Sequence, residues 1–414
     1  MTFSNSDPVS VAFAGLTLQG IYINAAGSNA IVKLSSGYNI CVPENLCTLR
    51  EVEGEAAASA AAQTAEKPAA PAQDASLPKL SIISTGGTIA STVDYRTGAV
   101  SSKFTAEDIL RSIPELAKIA QYHTLQPFNV LSENMNPVMW QELARAVYAE
   151  LESGAKGIII THGTDTMLYS AAALSFMLDT PAPVIFVGAQ RSADRPSSDN
   201  AMNAICSAKA GISELGEVVV CMHATSDDMA CSLHRATRVR KNHTSRRDAF
   251  QSIGRAPVGS VTYPEGAVHL ASDAVRRGVN ALALHDKLEP HCGLLQYYPG
   301  MNPAVLDAFA GYKGLVIAGT GLGHVGTDCI PKIKALADAG TTVVMTSQCQ
   351  AGSVCDRVYE TGRDLLNAGV IEGGSMLPEV ALVKLMWVLA NAPEGGAAAL
   401  MQKNLKGEFD FGGA

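Results

Sequence analysis

The sequence has no run approaching the ~18 apolar residues that a helix needs to cross a bilayer. Its start also lacks a basic segment leading into an apolar one, the pattern that directs export. The expectation is a cytoplasmic protein without membrane contact. The nine cysteines, scattered from Cys41 to Cys355, contain no C-x-x-C pair and no Cys/His cluster at zinc spacing. That excludes a readable disulfide framework or zinc site and points to reduced thiols. H-E-x-x-H and comparable metal patterns are missing, so no metal is expected. Positive charge is also short: Lys and Arg number 31 against 39 Asp and Glu, a net charge of -8. This balance argues against binding nucleic acid unaided through a broad basic face. There is no internal repeat. Charged residues make up only 17% of the chain and hydrophobic ones 47%. The chain therefore reads as globular, and 414 residues are enough for two or three domains around a large core.

The first fifty or so residues hold short β-type pieces, Leu16 to Ile23, Ala30 to Leu34 and Asn39 to Val42, broken by Gly27-Ser28-Asn29 and Ser35-Ser36-Gly37. They predict a small β-barrel-like module over residues 1–53. Residues 54–78 are rich in Ala and Pro and lack periodic large hydrophobes, so they read as a linker. From Lys79 onward strand-like runs alternate with helical ones, which predicts an α/β fold with a parallel sheet covered by helices. Strands are expected at 80–84, 157–161, 183–187, 217–222, 314–318 and 341–346, and helices at 105–112, 137–152, 167–178, 199–213 and 378–390. Thr105 would cap the first helix, with Glu107 and Asp108 favouring its N-terminal dipole. The pattern weakens around Pro290, Pro299 and Pro303. This divides a larger α/β domain, 79–290, from a smaller one, 304–414.

The run Leu80 to Ser84 stops at Thr85-Gly86-Gly87-Thr88, a buried-type strand that delivers hydroxyls into a tight turn. Adjacent glycines leave no Cβ to crowd a ligand, so Thr85 and Thr88 are expected to face a small molecule. No Lys follows the glycines, against a phosphate loop. A second strand, Gly157 to Thr161, ends likewise in His162-Gly163-Thr164-Asp165-Thr166. Two such ends can meet at the carboxyl edge of one parallel sheet, where open α/β folds bind ligands.

A threonine hydroxyl is a weak nucleophile at neutral pH and needs a base, itself held by a third group. Thr164 and Asp165 supply a hydroxyl and a carboxylate. The densest basic stretch, Arg235 to Arg247, could deliver a lysine base at Lys241, form a solvated charged loop, or contact phosphate. Spacing does not choose among the three. His162, between strand and turn, reads as a structural residue. Gly319-Thr320-Gly321-Leu322-Gly323-His324-Val325-Gly326 contains a formal G-x-G-x-x-G, but the next strand ends in Thr346-Ser347 without the acidic residue that would hold a ribose. A glycine turn that lets helix and sheet approach is preferred there.

With Thr85-Gly86-Gly87-Thr88-Ile89-Ala90 and Thr161-His162-Gly163-Thr164-Asp165-Thr166 both present in this order, the chain resembles the L-asparaginase and glutaminase family from about Lys79 to its end. The N-terminal module, Gly188-Ala189-Gln190-Arg191 through Asp199, and Tyr359-Glu360-Thr361-Gly362-Arg363 with Gly369-Val370-Ile371 are similar to the branch that supplies the glutaminase component of archaeal glutamyl-tRNA(Gln) amidotransferases. By resemblance, Thr88 is the nucleophile, and Thr164, Asp165 and Lys241 form a second triad with Lys241 as base and Asp165 orienting it. Tyr95 matches a mobile-lid tyrosine with Gly98 as hinge, and Ser132 and Glu133 match the loop holding the substrate's α-carboxylate and α-amino group. The implied reaction is glutamine hydrolysis through an acyl-threonine ester. Ammonia would pass to a partner, the amidotransferase's E subunit, which would bind glutamyl-tRNA(Gln) and use ATP and Mg²⁺; no cofactor is implied in this chain. A homodimer within a heterotetramer is implied as well. The alternative is an autonomous cytoplasmic L-asparaginase with an accessory N-terminal domain.

Overall fold

A computed structural model describes residues 3–4, 7–13, 15–26, 29–34, 39–43, 45, 48–51, 73–86, 92–93, 100–101, 106–191 and 197–410. The N-terminal strands are β1 (Pro8–Phe13), β2 (Leu16–Ala26), β3 (Asn29–Leu34), β4 (Asn39–Pro43) and β5 (Thr48–Glu51). They pair antiparallel in the order β4-β3-β2-β1-β5 around a small core of Val9, Val11, Tyr22, Ala30, Val32 and Val42. The expected pieces lie within β2, β3 and β4, and β1 and β5 complete the sheet.

The large sheet contains β6 (Lys79–Ser84), β7 (Gln121–Leu125), β8 (Gly157–Thr161), β9 (Val184–Val187) and β10 (Val218–His223), which run parallel. Beyond β10 the sheet turns antiparallel through β11 (Ala230–Arg235), β14 (Gly259–Thr262) and β15 (Val268–Leu270). Between them, β12 (Val239–Lys241) and β13 (Phe250–Ser252) form a separate hairpin. The order across the sheet is β15-β14-β11-β10-β9-β8-β6-β7. The sheet is thus mixed rather than wholly parallel: β10 and β11, and β14 and β15, are joined by connections too short for the crossover that a parallel neighbour needs, and the β12–β13 hairpin lies in the longer connection between β11 and β14.

Every residue of β8 and β10 is buried, as expected of strands covered on both faces. At the free edge, the Gln73 side-chain amide donates to the Tyr122 carbonyl and accepts from the Tyr122 N–H, standing in for a neighbouring strand. The tail of the segment read as a linker therefore lies against β7.

Helix α1 (Ala106–Ser112) begins at the expected place, although its cap Thr105 and the side chains of Glu107 and Asp108 lie outside the described residues. Helix α2 (Pro137–Glu152) has Asn136 as its cap, accepting from Val138 N and Met139 N at 3.1 and 3.2 Å. Helix α3 (Met167–Met177) is apolar around nearly its whole circumference, which places it inside the molecule. Helix α4 (Asn200–Gly211) packs on β9 and β10.

The smaller sheet is parallel, in the order β16 (Cys292–Gln296), β17 (Gly314–Gly319), β18 (Thr342–Ser347) and β19 (Ile371–Glu372). It begins inside the proline-marked segment, ahead of residue 304. Helices α5 (Ile330–Asp338), α6 (Glu360–Asn367), α7 (Pro378–Asn391) and α8 (Ala397–Gln402) accompany it. Helix α7 packs against α3 on one side and β16 and β17 on the other, so it joins the two sheets.

Lys384 of α7 fastens the chain's last described segment. Its Nζ donates to Met401 O, Lys403 O and Glu408 Oε1 at 2.7, 2.6 and 2.6 Å, and neither charged side chain is exposed. Glu408 accepts in turn from the N–H groups of Leu405 and Lys406. A buried pair with its remaining bonds satisfied holds, but removing one partner strands the other charge in low dielectric. Lys384→Met is expected to lower unfolding free energy by about 3–5 kcal/mol, read by urea denaturation of the full chain.

Candidate active site

Strands β6 and β8 are parallel neighbours with Ser84 opposite Thr161, so the turns that follow them leave the same sheet edge side by side. The Thr85 N–H and Oγ1 both donate to Thr161 O, at 3.0 and 3.1 Å. Thr85 is buried with its hydroxyl tied to the neighbouring strand; the expectation that it faces a small molecule is thereby corrected. It extends the ladder by one residue and fixes where the glycine turn begins.

Gly86 takes φ +114, and a Cβ there would stand 2.3 Å from Val130 O. Only glycine permits both the conformation and the approach. Gly163 is equally tight, since a Cβ would lie 2.7 Å from Ser132 Cβ and 2.9 Å from Ser132 Oγ. Thr166 Oγ1 donates to Ser132 O at 2.6 Å. The loop read as substrate-holding is therefore pressed against the second glycine turn, with Ser132 buried and Glu133 exposed beside it.

Lys241, the last residue of β12, reaches this edge from a distant part of the chain. Its Nζ lies 2.9 Å from Thr164 Oγ1 and 2.7 Å from Asp165 Oδ1. The lysine side chain is 10% exposed and the Asp165 side chain 72%. One amine thus bridges a hydroxyl and a carboxylate at the rim of the fold. The amine is placed to exchange a proton with the hydroxyl, while the carboxylate holds it in place. The structure brings together Thr164, Asp165, Lys241 and, through Gly163, Ser132. Thr88, Tyr95 and Gly98 lie outside the described residues.

His162 is a structural residue. Nδ1 lies 2.7 Å from Gly163 O and Nε2 2.8 Å from Ser170 Oγ, which also accepts from Trp140 Nε1 at 2.9 Å. The carbonyl can only accept, so Nδ1 carries the proton and Nε2 accepts from Ser170. Burial pulls the imidazole down to about 4, against the bond to Gly163. A neutral ring pinned at both ends sets the turn from which Thr164 projects.

The rest of the basic stretch divides: residues 242–246 form an exposed loop, as one of the readings has it, while each arginine has partners within the chain. Arg235 pairs with Glu217 and Asp273, Arg240 with Glu379, Arg246 with Asp248, and Arg247 with Asp228. Arg238 is buried and donates to the carbonyls of Ile253, Ser375 and Glu408. A cavity of about 350 Å³ lies near Arg235, Glu217 and Lys406, but at the amino end of β10, away from the hydroxyls. The charges around it already pair with one another, so the chemistry belongs to the opposite edge.

The glycine-rich segment after β17 is a tight turn in which Thr320 and His324 exchange backbone bonds. A Cβ at Gly323, where φ is +110, would meet Val354 and Met345 at 2.7 and 2.9 Å, so the glycine serves close packing. Among the described residues, no group of three or more His, Cys, Asp or Glu is placed to hold a metal ion. Gly188, at the end of β9, belongs to the site without having been assigned a role from sequence: a Cβ there would lie 2.8 Å from Thr164 Cγ2. Its signal was its place after a third parallel strand.

Residues 79–276 match the family model described as Asparaginase, N-terminal, and residues 291–398 match the Glutaminase/Asparaginase C-terminal domain. A protein of Methanosarcina mazei, named as the D subunit of glutamyl-tRNA(Gln) amidotransferase, is 51% identical over 420 residues, covering 99% of each chain. Its namesake from Archaeoglobus fulgidus is also 51% identical, over 97% of this chain and 94% of its own. Among solved structures, the thermostable L-asparaginase from Thermococcus kodakarensis superposes with a TM-score of 0.71 at 32% identity, covering 80% of this chain and 99% of that one. L-asparaginase I from Vibrio cholerae gives 0.68 at 27% identity over the same shares.

The buried His162 links stability to pH. Its folded value of about 4 lies below the ordinary 6.5, so the unfolded chain binds the proton more tightly. The contribution is fully present above about pH 6.5 and is lost as pH falls toward 4, to a total of about 3 kcal/mol. Unfolding free energies of the wild type and His162→Gln, measured between pH 7.5 and 4.5, are expected to converge on acidification; a constant gap would contradict this.

Proposed function

The chain belongs to the glutaminase/asparaginase family, and on that footing we propose that it is the glutaminase subunit of a tRNA-dependent amidotransferase. It hydrolyses glutamine and supplies the ammonia that converts Glu-tRNA(Gln) to Gln-tRNA(Gln). The observation that carries the chemistry is Lys241 Nζ seated between Thr164 Oγ1 and Asp165 Oδ1 at the carboxyl edge of the sheet. The subunit role is supported by relatives that match 99% of the chain, N-terminal module included. The solved asparaginases leave about a fifth of it outside the match.

In this reading a threonine Oγ attacks the carbonyl carbon of the glutamine side-chain amide, and its proton passes to a base. The tetrahedral intermediate, its oxyanion held by backbone N–H groups of the glycine turns, collapses as ammonia leaves with a proton. Water then attacks the ester, glutamate departs, and the threonine regains its proton. Thr88, two positions after Gly86 in the sequence, is the proposed attacking residue. Lys241 accepts the proton through Thr164, and Asp165 holds the lysine. Ser132 and Glu133 hold the α-carboxylate and α-amino group, and Tyr95 closes over them.

The proposed partner is the amidotransferase's E subunit, which takes most of the tRNA contact, in keeping with the net charge of -8 of this chain and the internal pairing of its arginines. ATP and Mg²⁺ act in that partner, and two copies of this chain sit in a cytoplasmic heterotetramer. An autonomous L-asparaginase is the second reading, favoured by the superposition on asparaginases.

Ammonia release from glutamine and from asparagine decides between them, assayed with and without the tRNA-binding partner and glutamyl-tRNA(Gln). Stimulation of glutamine hydrolysis by both is expected; full activity of the lone chain, unchanged by either, overturns the subunit role. Lys241→Met is expected to lower kcat about 10²- to 10⁴-fold, and Thr88→Ala to abolish the acyl-enzyme burst. An intact burst in Thr88→Ala would reassign the nucleophile.

A further inference from the structure

Three polar side chains behind the sheet edge are fully buried and take no part in the chemistry above: Asp199, Asn203 and His223. Asp199, just ahead of α4, accepts from Gln190 N and Arg191 N at 2.9 Å each. Asn203, one turn on, donates Nδ2 to Asp199 Oδ2 and to Gly188 O, both at 3.0 Å. Its Oδ1 lies 2.6 Å from Nδ1 of His223, the last residue of β10. His223 Nε2 stands 3.2 Å from Asp228 Oδ1, which accepts from Arg247 Nη1 at 2.6 Å. Asn203 Oδ1 can only accept, so Nδ1 donates to it, while burial lowers the imidazole's affinity for a second proton against the pull of Asp228 beside Nε2.

The two ends of this chain of bonds reach the two halves of the catalytic pair. At one end, Gly188 is the wall on which Thr164 rests: a Cβ at 188 would lie 2.8 Å from Thr164 Cγ2, from His162 O and from Met167 Cε. Threonine has few χ1 choices, so contact on its methyl fixes where its hydroxyl points. At the other end, Arg247 lies in the loop between β12 and β13, and Lys241 closes β12 opposite Phe250. Asn242 N donates to Ala249 O at 2.7 Å, so the loop that Arg247 anchors starts at the residue after the lysine.

We infer that Asn203 and His223 are positioning residues, and that the series Gly188, Asn203, His223, Asp228, Arg247 sets the approach of Lys241 Nζ to Thr164 Oγ1. The β9 end and the β12–β13 hairpin are separate pieces of chain, and their relative placement must hold to a fraction of an ångström for proton transfer. A network lodged in the buried backbone of the edge supplies that constraint. It leaves the substrate's α-groups to the loop at Ser132 and Glu133.

This inference rests on the amide-hydrolysis reading, and its test separates the two. In the full chain with its partner, His223→Leu removes both ring nitrogens. It is expected to lower kcat for ammonia release about 10- to 100-fold, with KM changed by less than about twofold. His223→Asn, whose amide nitrogen can occupy the Nδ1 position, is expected to recover most of the loss. Amide hydrogen exchange adds a readout independent of turnover: His223→Leu should speed exchange at both 188–191 and 242–249.

Wild-type kcat in His223→Leu overturns the proposal, as does a loss that follows the melting temperature and is not recovered by His223→Asn. Should His223→Leu not fold, Arg247→Leu at the outer end is expected to give the same loss in kcat at constant KM, and unchanged kcat there overturns it. If the unaltered protein releases no ammonia, the amidohydrolase reading falls and exchange decides the network. Acceleration confined to 223–228 would then refute the coupling of the two segments.

Discussion

Everything at the reactive edge follows from the parallel ladder between Lys79–Ser84 and Gly157–Thr161. With Ser84 set against Thr161, Thr85 continues the pairing and both glycine turns emerge together. A slip of one residue would turn every side chain of β6 to the other face. The slip is resisted because five of the six residues of β6 and all of β8 are buried. The close approaches at Gly86 and Gly163 then bring Val130 and Ser132 against those turns, so a crossover loop becomes one wall of the site.

The second constraint is electrostatic. The segment that carries Lys241 is dense in arginine, yet each arginine from Arg235 to Arg247 has a carboxylate or a set of carbonyls inside this chain. Removing a guanidinium from water is costly unless its donors are met, and Arg238 meets three carbonyls from three separate segments. The arginines therefore act as anchors for the hairpin. A lysine at the end of an anchored hairpin stays within reach of a hydroxyl that lies 77 positions earlier in the chain.

Local pattern made part of the fold legible. Strand β8 and helix α2 occupy the expected residues, because a Gly-Ile-Ile-Ile-Thr run and a capped amphipathic stretch behind Asn136 each have one good solution. Strand β7, Gln-Tyr-His-Thr-Leu, carries little signal in the sequence because an edge strand needs no continuous apolar run, and Gln73 completes its outer side. Helix α6, Glu-Thr-Gly-Arg-Asp-Leu-Leu-Asn, was equally hidden, since two leucines and a mid-helix glycine give weak periodicity. The antiparallel half of the large sheet is faint for a related reason: two of its strands, β14 and β15, are only four and three residues long.

By itself the sequence determined that two buried strands end in glycine and hydroxyl turns, that Thr164 and Asp165 are adjacent, and that the paired motifs resemble one enzyme family. Those are properties of neighbouring residues, and side-chain size, backbone freedom and covalent order suffice to express them. Only the tertiary structure decided which hydroxyls are engaged and how. Thr85 is tied to a carbonyl, whereas Thr164 meets Lys241, and the arginines around that lysine pair with carboxylates and carbonyls of the same chain. Burial and proximity depend on which distant segments close over a residue, and the free energy of that closure is not written at any one position of the chain.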